Sequence, residues 1–351
     1  MSDPVIDIHA HFGAPEDQVS GCYWSEEFTK SPAFFAMLLI TGHVFKKINL
    51  INIKTHMFSV LNKSKHTDKA VFLALDMVYD EAGNQHLKDK THLYVPNEYI
   101  VQLAQENNKV LLGASVHPYR PDWSDKLDYC LHQKAVLCKW VQSSQLINPA
   151  NPKCIPFYQK LAWHKLPLLC HGGPEYAIPT SDKGYAEYNN PKYLRTALDQ
   201  GVTIIIAHCA TPYFGALDVD YQDDFDEFLK LFKEAESKRW NLYADLSAVC
   251  IPTRTPYLER IKMEVPSSRL IYASDYPIPI SAFSYGTPTN VFSRAFSLLR
   301  FMFMRNLLDK NYMIIKDMKF DDCIFTNAQA LFDQIVYPRE PFLSAPPREI
   351  K

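Results

Sequence analysis

The chain of 351 residues carries 37 Lys and Arg against 39 Asp and Glu, a formal net charge of −2. Neither sign dominates, which argues against a nucleic-acid or polybasic membrane partner. With 47% hydrophobic and 22% charged residues it is long enough for one large α/β barrel or two ordinary domains. Its eight cysteines are scattered without a Cys-x-x-Cys pair, which excludes a zinc ribbon or a thioredoxin-like dithiol and suits reduced thiols in a cytoplasmic protein.

The chain opens Met-Ser-Asp-Pro, with no basic region or apolar signal core. Val5 to His9 reads as a first buried strand, running into Asp7-Ile8-His9-Ala10-His11. Alternate residues of a strand share a side, so His9 and His11 aim two imidazoles at one spot. Alone, such a pair is a weak sign, since paired histidines are often core or surface residues. The connection from His11 to Ala70 is long, an insert of about 14–69 containing Phe34, Phe35, Leu38, Leu39, Val44 and Phe45. It is expected to cap a barrel mouth, to pack plainly on its own barrel, or to form a homodimer contact. Its apolar run Ala33 to Ile40 is far shorter than the roughly 20 residues that span a bilayer.

Further strands are expected over Ala70 to Asp76, Val110 to Val116, Ala135 to Trp140, Leu166 to His171, Val202 to His208, Asn241 to Leu246 and Arg269 to Asp275. These runs are continuously apolar, as strands buried on both faces should be. Helices are expected over Asn97 to Asn107, Ile155 to His164, Pro191 to Gln200 (stopped by Gly201) and Asp220 to Lys238. In the last of these Asp223, Asp224, Asp226 and Glu227 suit the positive end of a helix dipole. No repeat or linker marks a boundary, so 1–351 reads as a single domain with an extended C-terminal segment of about 277–351. Eight strand–helix units predict an α/β fold, a (β/α)8 TIM barrel with a long helical insert after strand 1, whose chemistry sits at the C-terminal strand ends.

Three later strands end on metal-competent residues: His171 in Cys170-His171-Gly172-Gly173, His208 in Ala207-His208-Cys209, and Asp275 in Ala273-Ser274-Asp275-Tyr276-Pro277. A barrel would gather these with His9 and His11 at one mouth. Three or four His/Asp ligands with an open position suit catalytic zinc. Nitrogen and oxygen donors without thiolate suit manganese or ferrous iron as well. A divalent ion, zinc foremost, is therefore the expected cofactor.

At these residues the chain resembles the amidohydrolase superfamily, in the amidohydrolase-2 branch that includes aminocarboxymuconate-semialdehyde decarboxylase. The similarity runs from Val5 to Phe332. It adds Tyr243-Ala244-Asp245-Leu246-Ser247-Ala248 and the terminal stretch Ile324-Phe325-Thr326-Asn327-Ala328-Gln329-Ala330-Leu331-Phe332 to the motifs above. The resemblance implies His9, His11, His171 and Asp275 as metal ligands, with Asp275 also the proton acceptor and His208 the polarising acid or base. Lys139, in Cys138-Lys139-Trp140, stands where some members bridge two metals with a carbamylated lysine. An unmodified amine facing substrate or water is preferred here, hence one metal ahead of two.

His117, Tyr119 and Arg120 follow the third strand, and Arg254 lies beyond the seventh. Either arginine could grip a carboxylate or phosphate in two-pronged fashion, or be a surface residue. Trp140, Gln142 and Tyr176 are weaker pocket candidates. Asp7 and Asp245 could orient a ligand imidazole or serve an internal barrel hydrogen bond. The leading expectation is a hydrolase that activates metal-bound water against a C–N, C–O or lactone bond of a small substrate. The alternatives are a nonoxidative decarboxylase, a lyase, on the same scaffold, and a catalytically silent barrel serving as a binding protein.

Overall fold

The computed structural model describes residues 3–43, 48–213, 222–278 and 300–339. Eight parallel strands form one sheet in chain order: β1 (Ile6–His11), β2 (Lys69–Leu73), β3 (Val110–Ala114), β4 (Leu137–Trp140), β5 (Leu168–Cys170), β6 (Ile204–Ile206), β7 (Leu242–Asp245) and β8 (Leu270–Ile271). The sheet curls until its ends meet. Ile8 N–H donates to Tyr272 O (3.5 Å), His11 N–H to Tyr276 O (2.7 Å) and Asp275 N–H to His9 O (2.8 Å). This is the (β/α)8 barrel expected from the alternating pattern. The strands lack polar alternation because both faces are covered; Ile204, Ile205 and Ile206 are each fully buried.

Helices α1 (Pro32–Thr41) and α2 (Leu50–Asn62) belong to the insert. Ser31 caps α1 by accepting from Phe34 N–H, with Pro32 in the first turn, and Gly42 ends it in the left-handed region (φ 69°). Asn49 caps α2 through Asn52 N–H. α1 is apolar around its circumference. Phe34 is buried, while Phe35 and Leu39 point outward and are exposed, as is Ile51 on α2. Val44 and Phe45 lie outside the described residues. A two-stranded antiparallel ribbon, Tyr23–Trp24 with Leu93–Tyr94, supports the insert from the side.

The outer layer holds α3 (Asn97–Glu106), α4 (Trp123–His132), α5 (Ile155–His164), α6 (Arg195–Asp199), α7 (Gln222–Lys238) and α8 (Leu258–Glu264). The helix expected over Pro191 to Gln200 begins as a 3-10 turn, Pro191–Leu194, before α6. The expected start of α7 at Asp220 falls outside the described residues. After α9 (Leu307–Asp317) and α10 (Asn327–Phe332) the barrel floor is closed. There Asn327 Nδ2 donates to Ser267 O (2.9 Å) and Leu270 O (2.8 Å), holding the start of β8. All eight cysteines are free, and all but Cys323 are buried. Among the described residues no helix is long and apolar enough to cross a membrane.

Several strands stop earlier than their apolar runs suggest. β6 ends at Ile206 and β8 at Ile271, so His208 and Asp275 sit on the loops beyond. There the backbone turns left-handed at four non-glycine residues: His208 (φ 57°), Cys209 (49°), Ala210 (49°) and Asp275 (62°). Such residues are uncommon and persist where the surroundings hold them.

Candidate metal centre and its pocket

β1 delivers the first two imidazoles. Asp7, His9 and His11 share one side of the strand, deeper to shallower. At the bottom Asp7 is fully buried and accepts from Ser274 Oγ (2.6 Å), Ser274 N–H (2.9 Å) and His9 N–H (3.2 Å). These bonds sew β1 to the segment after β8, so Asp7 serves the barrel seam rather than an imidazole. Burial pushes its carboxyl up to about 7.

One layer higher, His9 Nδ1–H donates to Asp245 Oδ2 at 2.8 Å. That bond commits the Nδ1 proton and leaves Nε2 with a bare lone pair. Nε2 faces His11 Nε2 at 3.1 Å and Asp275 Oδ1 at 3.4 Å, and His11 Nε2 is 3.2 Å from the same carboxylate oxygen. His9, His11 and Asp275 each offer a ligand atom, all within 4.8 Å of one another. A bare nitrogen, a second imidazole and a carboxylate converging in a buried spot fit a divalent cation. The Lys139 ammonium, fully buried at the end of β4, donates to His9 Nε2 at 3.2 Å. Burial lowers its pKa, against the pull of Asp245 and Asp275.

His208 enters from the left-handed loop after β6. Its N–H donates to Asp245 Oδ1 (2.8 Å), so Asp245 positions both histidines. Ser247 Oγ gives its hydrogen to Asp245 and lies 2.7 Å from His208 Nδ1 and 3.1 Å from His9 Nδ1. Burial, reinforced by nearby Arg254, holds His208 well below the usual histidine pKa, hence neutral. His208 Nδ1 is 3.8 Å from Asp275 Oδ2. His171 stands just outside the converging set. Its ring meets that of His208 edge-on, 5.0 Å between centroids, while Nδ1 faces Glu175 Oε2 at 3.3 Å. Gln142 holds its backbone, donating from Nε2 to His171 O and accepting from His171 N–H, both at 3.0 Å.

These side chains open on a cavity of about 70 Å³ lined by His11, His171, His208, Asp275, Glu175 and Arg254, with Tyr213 and the apolar Phe28 and Leu93. Arg254 is only 2% exposed. Among the described residues its Nε and Nη1 have no hydrogen-bond partner, and its guanidinium lies 5.3 Å from the Tyr213 ring centroid. Tyr176, a weak candidate from sequence, also lines this cavity.

Arg120 and His117 stand elsewhere. Arg120 pairs with Asp76 (2.8 Å) and Asp122 (2.7 Å), and Asp76 also accepts from His117 N–H (2.8 Å). His117 Nε2–H donates to Gln145 O at 2.8 Å, and its Nδ1 accepts from Tyr119 N–H at 3.2 Å. This buried network staples the loops after β2, β3 and β4, and its polar atoms face one another instead of the cavity. Trp140 is likewise occupied, its Nε1–H donating to Val116 O (2.9 Å). Glu175 was missed in the sequence, and Ser247 stood there only as part of the seventh-strand motif, without a role. Ser247 lies two residues after Asp245 on the same side of the chain, and Glu175 one turn after His171, spacings that carry meaning only once His9 and His171 are placed.

A family model described as amidohydrolase matches residues 62–296, more than half of the chain. Comparison with curated proteins gives no match. Among solved structures, a protein put forward as a 2-pyrone-4,6-dicarboxylic acid hydrolase from Pseudomonas putida aligns with TM-score 0.54 at 12% identity, covering 95% of this chain and 99% of its own. A 2,6-dihydroxybenzoate decarboxylase from Rhizobium aligns with TM-score 0.52 at 13% identity, with the same coverage. A dihydroxybenzoic acid decarboxylase from a Polaromonas species, with bound manganese and the inhibitor 2-nitroresorcinol, aligns with TM-score 0.50 at 12% identity, covering 95% of this chain and 97% of its own. At these identities the likeness is one of fold.

Proposed function

The chain belongs to the amidohydrolase family, and from that premise we propose that it is a metal-dependent enzyme acting on a small organic carboxylate, with nonoxidative decarboxylation as the reaction its pocket favours. The observation that carries this reading is Arg254. A buried guanidinium with two nitrogens unpaired among the described residues is costly unless an anion completes it. Here it lines the same cavity as Asp275 and His208. The sequence alone ranks hydrolysis first; a carboxylate-binding arginine inside the pocket is the feature that moves the lyase ahead. The solved relatives of this fold include both hydrolases and decarboxylases by name, so either chemistry has precedent on the scaffold.

His9, His11 and Asp275 would hold the ion, with His171 completing the set on release from Glu175. A divalent cation there supplies Lewis acidity toward a substrate oxygen and lowers the pKa of water. Zinc and manganese both suit the donors. The chain's own residues do the rest. Arg254 binds the carboxylate and orients it over the site. His208, kept neutral by burial, hydrogen-bonds the adjacent substrate oxygen. Asp275 relays a proton from water to the carbon that carbon dioxide leaves, ending the turnover as the carboxylate it began as. The apolar walls from Phe28 and Leu93 pack against the substrate's hydrocarbon part and keep bulk water from the reacting carbon.

Hydrolysis is the second reading, favoured by the Asp275 carboxylate standing 3.2 Å from His11 Nε2, where it could take a proton from an attacking water. Incubating the purified protein with zinc or manganese and a panel of aryl and alkenyl carboxylic acids, lactones and amides separates the two. Carbon dioxide released in step with acid consumed, and lost in Arg254→Gln, is the expected result. Ring opening or amide cleavage without carbon dioxide would transfer the reading to hydrolysis. No turnover with either metal would return the chain to the silent-barrel alternative.

A further inference from the structure

A second cavity, of about 100 Å³, adjoins the first. His11, Phe28, Met37, Leu93 and Pro277 line both. Beyond that shared neck its walls come from the insert and its ribbon: Trp24, Phe34 and Leu38 on one side, Ile53 and Met57 of α2 on the other. Trp24, Phe28 and Phe34 meet edge-on, with centroids 5.1 to 6.1 Å apart, a rigid aromatic wall rather than a collapsed one. Its volume is of the order of the roughly 150 Å³ engineered cavity that admits benzene.

The second arm is not uniformly apolar. Trp24 Nε1 is buried and has no hydrogen-bond partner among the described residues. It lies beside Gly13, where an added Cβ would come within 3.0 Å of it, and both residues line the cavity. A buried indole N–H normally finds an acceptor.

We propose that the insert builds a hydrophobic substituent subsite, in which the substrate places a hydrocarbon group the size of a phenyl or branched butyl, bearing one hydrogen-bond acceptor for Trp24 Nε1. This deepens the carboxylate reading above and rests on it for the other end of the molecule. The substrate class is then an amphipathic carboxylic acid, with its acid group at Arg254 and its apolar body across the Phe28–Met37 neck. Chain selectivity resides in α1 and α2, outside the barrel strands that carry the chemistry.

The test is ligand-observed NMR titration of the full chain with acetate, 3-phenylpropionate, 3-(4-methoxyphenyl)propionate and the neutral benzyl alcohol. Ile53, which lines only the second arm, is replaced in two opposite senses. Ile53→Trp should weaken both phenyl acids and benzyl alcohol at least tenfold and leave acetate unchanged. Ile53→Ala should preserve or improve binding of the bulkier acid, an outcome that misfolding could not give. Trp24→Phe should erase the preference for the methoxy compound alone. Equal affinity of all acids in the wild type, or indifference of the phenyl ligands to Ile53→Trp, overturns the subsite. If Arg254→Gln leaves the acids untouched while benzyl alcohol still responds to Ile53→Trp, the subsite stands and the carboxylate reading falls.

Discussion

At the scale of single residues the site is an exercise in fixing imidazoles. Asp245 holds the Nδ1 proton of His9 at 2.8 Å and the backbone N–H of His208 at 2.8 Å. Replacing it with Asn keeps the shape and loses the charge that makes His9 a strong donor. Outer partners of this kind are worth roughly 10–100-fold in metal affinity. Asp245→Asn should therefore bind zinc about tenfold or more weakly in competition with a chromophoric chelator; affinity within twofold of wild type would deny Asp245 that role. The sequence showed the His9-x-His11 pair because a period of two is visible in a string. It could not show that Asp245, and not Asp7, faces His9, because that depends on how β7 and β1 meet across the closed barrel.

His117 illustrates the opposite outcome, a candidate absorbed by structure. It is neutral by construction, since Nε2–H donates to Gln145 O while Nδ1 accepts from Tyr119 N–H. Burial lowers its pKa to about 3. Below pH 6.5 the unfolded chain takes up a proton that the native imidazole refuses, so stability falls as pH drops from about 6.5 toward 3. At about 1.4 kcal/mol per pKa unit, His117 alone should remove about 2 kcal/mol between pH 7 and 5. Asp7, raised to about 7, acts with the opposite sign: its contribution is full below about 4 and is lost as pH rises through 7. Urea unfolding of wild type and His117→Gln at both pH values isolates the difference. Equal pH dependence in the two proteins would refute the assignment.

At the scale of elements, the sheet was readable because its strands are apolar on both faces, and α5 (Ile155–His164) begins and ends where the pattern says. The strand ends were not readable. The apolar run Val202 to His208 contains no glycine or proline, yet the chain leaves the sheet after Ile206 and turns left-handed through His208, Cys209 and Ala210. What enforces that turn lies on the neighbouring element. A Cβ on Gly172 would come within 2.6 Å of Ile206 Cγ2 and 2.9 Å of Ala207 O, so β5 and β6 approach closely only because residue 172 is glycine. Gly172→Ala should cost about 1–3 kcal/mol by overpacking, and should also disturb His171 and His208, which flank the contact. Thermal unfolding and turnover should fall together. An alanine variant with wild-type melting would show that the two loops have room to give.

At the scale of the whole molecule, the candidate centre straddles the barrel's closing seam. His9 comes from β1 and Asp275 from the loop after β8, and the seam between them rests on the backbone bonds of Ile8, His11 and Asp275 together with the Asp7–Ser274 pair. β8 has only two residues in regular pairing, so this seam is held by fewer ladder bonds than the interior of the sheet. An ion held by His9, His11 and Asp275 would therefore fasten together the two ends of the chain's fold, and its effect should be local as well as global. At a hundredfold excess over Kd it should add about 2.7 kcal/mol to the unfolding free energy. Hydrogen exchange should also slow more at the amides of Ile8, His11 and Asp275 than at those of Cys138 and His171, which bridge β4 and β5. Asp275→Asn should lose the selective protection. Uniform slowing across both groups would mean that the ion binds without closing the seam, and no change with zinc or manganese would place the metal elsewhere.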